Sequence, residues 1–173
     1  MKSNIILSIS TALMQVARVA IALLAGVLVV LVVGSFVNDS LTLSDLSFQV
    51  SFLDSESAHT IYTVAEDNFW ISIIVIIQKL SVLIIWFQIL GYGKDIVANI
   101  KSIKTFAKDN VKAFSNLSRL SIILLLIHIP TLSSGKIGIR LEFNYLFLAF
   151  AAIILTQVFK EGQNLMEENE LTV

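Results

Sequence analysis

Lys79 is the side chain in this sequence best placed to do chemistry. It stands in the middle of a long uncharged run, with Gln78 before it and Ser81 just after. Burying such a charge in hydrocarbon costs roughly 2.5–3.5 kcal/mol on insertion scales, so its ammonium must face a wet cavity or a polar partner. Gln78, Lys79 and Ser81 are therefore the candidate intramembrane polar site. A small transporter or channel component would use such a centre. No acid lies within the other apolar runs to complete a relay, and transport sites are built from several paired polar groups. A structural partner for Lys79, such as Glu66, Asp67 or an internal amide, is the favoured reading.

Little else is reactive. The two histidines are His59 and His128, and there is no cysteine. Disulfides, thiolate metal sites and cysteine nucleophiles are thereby excluded. A zinc site would need carboxylates to complete it. The sequence contains no HExxH, GxSxG, P-loop or dinucleotide fingerprint. The expectation is a protein that is not an enzyme and holds no cofactor or metal. His128 precedes Pro130 at the end of an apolar run, where proline removes a helical hydrogen bond. The simpler reading there is a hydrogen-bonded helix-end histidine rather than a pH sensor.

The elements that carry these residues follow from composition. Hydrophobic residues make up 56% and charged residues 14%, with mean hydropathy +0.85. A soluble domain has about 45–50% apolar and about 25% charged residues. The balance argues against a secreted scaffold, a disordered tail or a basic nucleic-acid binder, and no direct nucleic-acid binding is expected. A bilayer core about 30 Å thick needs about 20 apolar residues in a helix. Four charge-poor runs qualify: Val19–Asn38, Asn68–Gly93 broken only by Lys79, Leu120–Gly135, and Phe143–Phe159. Trp70 near one end of the second, and Trp86 and Tyr92 near the other, form interfacial belts. Gly26 and Gly34 could share a face that packs closely on another helix. The first run is too long for a signal core and has no clean cleavage site, so it reads as a retained span.

The resulting expectation is one integral domain over residues 1–173. Its spans are near 12–37, 69–92, 117–134 and 143–160, with an outer loop 38–68, an inner loop 93–116 and a tail 161–173. The fold class is an all-α, four-span transmembrane helical bundle with a small β-rich extracytoplasmic cap. The cap comes from period-two alternation at Leu46–Phe52 and Ile137–Phe143, with β-branched residues at Thr60–Val64. The inner loop reads as helix, breaking near Phe106–Asn110. Asn4, Ser8, Thr11, Gln15 and Arg18 form a polar stripe at helical spacing, read as a wet face at the end of the first span. A homo-oligomer is compatible with this composition.

Loop charges set the orientation. The 39–67 loop has six acids and no Lys or Arg, whereas the next loop carries Lys94, Lys101, Lys104, Lys108, Lys112 and Arg119. Both termini are therefore expected in the cytoplasm, with the chain multi-pass in the inner (cytoplasmic) membrane. The basic loop would also suit a contact with anionic lipid, but the positive-inside signal by itself is the favoured reading.

Two segments resemble the uncharacterised bacterial membrane proteins grouped as domain of unknown function 2975. Phe106-Ala107-Lys108-Asp109-Asn110-Val111 resembles that family's Phe-x-x-x-Asn turn between paired central helices. Lys104-Thr105 stand where members often carry Gly/Pro. The end of the chain, from Val158-Phe159-Lys160-Glu161-Gly162 to Leu171-Thr172-Val173, resembles the family's phenylalanine, glycine, acids and Leu-Thr-Val/Ile ending. The resemblance implies an integral membrane protein of no established activity. It also implies a cytosolic helix-turn-helix regulator as partner, because such genes often lie beside members. On this reading the candidate partner-binding residues are Lys101, Lys104, Phe106, Lys108 and Asn110 of the inner loop. Leu165, Glu167, Glu168, Glu170, Leu171 and Val173 of the tail complete the set. The leading reading is a non-enzymatic membrane regulator, and the alternative is the transporter or channel component around Lys79. Leu165 and Leu171 are expected to hold the tail against the basic loop, in cis or through a second protein.

A reporter fused within Ser44–Glu56 should read outside, and one fused after Val173 should read inside. Reversed signals at either site would refute the orientation argued from the loop charges.

Overall fold

The computed structural model describes residues 2–37, 69–102, 105–133, 136–139 and 143–171, with side chains over 5–34, 73–102, 105–130 and 143–169. Four helices follow in order: α1 Lys2–Val37, α2 Phe69–Lys101, α3 Lys108–His128 and α4 Phe143–Leu171. Each is long and apolar enough to cross a membrane, so the chain is a multi-pass membrane protein. At 1.5 Å per residue, α1 is about 54 Å long and α2 about 50 Å. Both exceed the roughly 30 Å hydrocarbon layer.

The helices pack in chain order, α1 on α2, α2 on α3 and α3 on α4. Ser8 meets Lys101, Asn99 meets Asn110, and Lys108 meets Glu167. The start of α1, the end of α2, the start of α3 and the end of α4 therefore lie together at one end, called here the basic end. Two small cores hold α2, α3 and α4. Ile85, Ile89 and Leu124 bury against Trp86, Leu117 and Tyr145. Ile96, Ala113 and Phe114 bury against Tyr92, Ile100 and Phe159. No residue of the apolar window of α1 is buried within the protein. Its exposed Leu, Ile and Val side chains match lipid tails, which are as apolar as leucine.

The β-rich cap expected from the sequence is corrected. The fold is an all-α bundle, and strand pairing among the described residues is confined to one antiparallel hairpin. Its strands are β1 Pro130–Ser133 and β2 Lys136–Ile139, four residues each, paired from Pro130↔Ile139 to Ser133↔Lys136. Leu46–Phe52 and Thr60–Val64 lie outside the described residues. The alternation over 137–143 ends where α4 begins at Phe143. A hairpin of this length is no independent sheet; it is the link between α3 and α4.

The helix that carries the third span, expected over 117–134, runs from Lys108 to His128 and stops there, because Pro130 has no N–H to continue the ladder. The carbonyls left at that end are met from α2. The Gln78 amide donates to Ile127 O at 2.6 Å and to Pro130 O at 3.0 Å. At the basic end, the break expected near Phe106–Asn110 is a tight turn after Lys101. Asn110 is fully buried there. Its amide donates to Thr105 O at 2.7 Å and its oxygen accepts from Asn99 Nδ2 at 2.8 Å. One side chain thus ties the end of α2, the turn and the start of α3. Buried backbone carbonyls without a partner are costly, which is why both breaks recruit an amide.

The face expected at Gly26 is empty: a Cβ there would meet nothing within 4 Å. The close approach is at Gly91 and Gly93 instead. Their Cβ positions lie 3.5 Å from the Arg18 guanidinium carbon and 3.4 Å from Met14 Sδ.

Candidate functional site

The basic end brings together the two segments that carry the family resemblance. Phe106, in the turn, stacks at 5.5 Å on Phe159 of α4, and Phe159 stacks at 4.6 Å on Phe114 of α3. The Phe106 ring lies flat against α4 at Gly162, where any added Cβ would overlap it. Glycine is required there by the approach of the ring. The phenylalanine and asparagine of the turn and the phenylalanine and glycine of the tail are therefore parts of one clasp. It fixes α4 where the helix leaves its apolar stretch.

Beyond the clasp α4 continues as helix to Leu171. Lys108 Nζ lies 3.3 Å from Glu167 Oε1, and the two side chains are 79% and 52% exposed. Gln163 Nε2 donates to the same oxygen at 2.9 Å. The Gln163 hydrogen bond, then the Lys108 hydrogen bond and charge, hold the Glu167 carboxyl below its ordinary range. Leu165 is not covered within the chain: it is 60% exposed, and the neighbouring Met166 is 47% exposed, which leaves the hold through a second protein. The apolar hold comes from Phe106, Phe159 and the Gly162 backbone, one to two turns earlier. Glu161 and Glu168 are exposed around it.

The other expected residues are distributed as follows. Lys101 donates to Ser8 Oγ of α1 at 2.9 Å, on the opposite side of α2 from the clasp. Lys104, Val173 and the side chains of Glu170 and Leu171 lie outside what the structure describes. Of the intramembrane group, Gln78 caps α3. Ser81 donates to Ile77 O of its own helix at 2.8 Å. Lys79 is half-buried on α2. None of the three lines the groove between α1 and α2. His128 is hydrogen-bonded at the helix end: Nδ1 is 3.0 Å from Leu124 O, and Nε2 is 3.2 Å from Tyr145 Oη. Among the described residues no group of three or more His, Asp or Glu could hold a metal.

Sequence reasoning missed Gly91, Gly93 and Gly162 as contact residues. Glycine inside an apolar helix is the available signal, since it is otherwise disfavoured there by up to about 1 kcal/mol. No family model, curated protein or solved structure matches the chain.

Two outcomes follow from this geometry. Gly162→Ala should destabilise the protein by about 1–3 kcal/mol through overpacking on Phe106. In a Phe106→Ala background the same change should instead stabilise it, by up to about 1 kcal/mol of helix propensity. Unfolding in micelles measures both, and equal effects in the two backgrounds would refute the clasp.

The second outcome concerns pH. Because the folded Glu167 carboxyl titrates below its ordinary value, its tie to Lys108 and Gln163 is intact above the ordinary carboxylate range. It is lost as pH falls through the lowered value. A spin label at Leu165 should therefore become more mobile in that acid window and in high salt. Glu167→Gln should be mobile throughout. A label insensitive to acid in the unsubstituted chain would overturn this.

Proposed function

We propose that this chain is a non-enzymatic inner-membrane protein that presents a docking helix to a cytosolic protein. The observation that carries the reading is the α4 extension. It is clamped at its base by Phe106 on Gly162, yet carries Leu165 and Met166 exposed beside Glu161, Glu167 and Glu168. An apolar pair on a rigid acidic helix suits a partner with an apolar groove rimmed by basic residues, recognised as a helix in a groove. The lysine bias of the loops supports a cytoplasmic location for this end and for both termini. The resemblance to the family of domain of unknown function 2975 supports a helix-turn-helix transcription regulator as that partner. Lys108 and the turn would flank the docked protein.

Gln78 and Ser81 give their hydrogen bonds to main-chain carbonyls. The transport alternative around Lys79 gains no supporting observation from that arrangement.

The test places a photo-crosslinker at Met166 in the full chain and looks for an adduct with a co-expressed helix-turn-helix regulator from an adjacent reading frame. An adduct that disappears with Leu165→Ala is the expected result. A chain truncated after Gly162 should insert normally and, with the regulator tagged, no longer co-purify with it. Co-purification at full strength after truncation would reject the tail as the docking element.

A further inference from the structure

We propose that the groove between the first turns of α1 and the last turns of α2 binds the phosphate headgroup of an anionic phospholipid. The groove is open, about 690 Å³ in volume. Its polar lining is Ser8, Thr11 and Gln15 of α1 and Lys94, Lys101 and Ser102 of α2. Ser8, Thr11 and Gln15 of the α1 polar stripe face α2 across this groove, with Ser8 and Gln15 still exposed.

Charge complementarity argues for an anion. Two ammonium groups line the groove and no carboxylate does; Asp95, next to Lys94 in sequence, is exposed and lies outside it. Lys101 is held in place by Ser8. Lys94 and Gln15 have no hydrogen-bond or ion-pair partner among the described residues. The Thr11 hydroxyl donates to Leu7 O at 2.8 Å, which fixes the rotamer of that wall. One turn deeper, Arg18 Nε is buried without a hydrogen-bond partner, and its guanidinium carbon sits 4.2 Å from the Phe87 ring centroid. It places a third positive charge beneath the groove. Ammonium, guanidinium, amide and hydroxyl donors around one opening suit a phosphate.

Depth argues for a lipid rather than a dissolved anion. The apolar runs of α1 and α2 begin, at the far end, near Val37 and Phe69. About 20 residues cross the hydrocarbon, which puts its boundary near Arg18 on α1 and near Ile89 on α2. The groove begins just beyond that boundary, in the headgroup layer. Val19 and Leu23 of α1 are exposed just inside that boundary, below the groove. They offer apolar surface to the acyl chains of a lipid whose phosphate sits between Lys94 and Lys101. On the orientation given by the loop charges, this is the inner leaflet, where anionic lipid attracts basic residues.

The experiment uses the full chain in nanodiscs of phosphatidylcholine with a minor fraction of phosphatidylglycerol. The lipid retained after detergent extraction is counted by native mass spectrometry. The unsubstituted chain should retain phosphatidylglycerol preferentially. Lys94→Gln with Lys101→Gln should lower that retention roughly 30-fold, the effect of two near-surface basic charges. Lys112→Gln with Lys160→Gln removes the same charge outside the groove and should leave retention unchanged. Lys94→Arg with Lys101→Arg should also retain the lipid, and circular dichroism checks that each variant folds. Gln15→Leu, which removes no charge, should weaken retention through the groove wall. Equal loss in both glutamine pairs would mean a diffuse charge effect and overturn the site. So would undiminished retention in the groove pair. Displacement of the lipid by millimolar inorganic phosphate would assign the groove to a free anion and overturn the lipid reading.

Discussion

Inside a bilayer a helix end has no water to satisfy its last carbonyls, and this chain answers that constraint at the end of α3 with an amide borrowed from α2. Gln78 of α2 closes the end of α3 by donating to Ile127 O and Pro130 O. Asn110, fully buried, closes the opposite break by donating to Thr105 O and accepting from Asn99. Unsatisfied groups at membrane depth cost several kcal/mol each. The positions of these two amides therefore fix where α3 can start and stop. Once α3 is fixed between them, α2 and α4 are placed on it through the Leu124 and Phe114 cores.

The same need explains the roles of several polar residues that invite a functional reading. Gln78 beside Lys79 resembles the beginning of a transport site, but its hydrogen bonds are structural. Ser118 and Ser121, buried on α3, donate to Ser115 O and Leu117 O. His128 and Tyr145 join α3 to α4 near the hairpin, with the rings 4.5 Å apart. Polar side chains in membrane helices act as glue of this kind, at about 0.6–2 kcal/mol per contact.

Much of this was legible in the residues. Charge-free runs of about 20 residues locate four helices, and the Lys/Asn-rich interruption near Phe106–Asn110 locates the break between α2 and α3. What was not legible depends on pairing between elements. Alternation over 137–143 is compatible with a strand; among the described residues β2 covers Lys136–Ile139 and α4 starts at Phe143. Gly26 and Gly91 look alike in sequence. Only the register of α1 against α2, set by Met14, Arg18 and Ser8 with their partners on α2, decides which glycine receives a neighbour. The clasp was half legible: its residues were singled out by resemblance, but their mutual contact was not. Leu165 was assigned the anchoring role that Phe159 fills, because helical spacing shows which residues share a face and not which face is covered.

The basic end also separates two kinds of interaction that are easily confused. It is rich in charge, yet charge does little to hold it together. Among the described residues the ion pair is Lys108 with Glu167, and it is largely exposed, where such pairs are screened and weak. The hold comes from Phe106 fitted to a bare glycine backbone, from stacked phenylalanines and from one buried amide. The lysines facing α1 and the acids on the α4 extension lie on different sides of the same end, so a lipid phosphate and a basic protein would not compete for one surface. That division follows from the packing order, since α1 touches α2 and the clasp lies on α3 and α4.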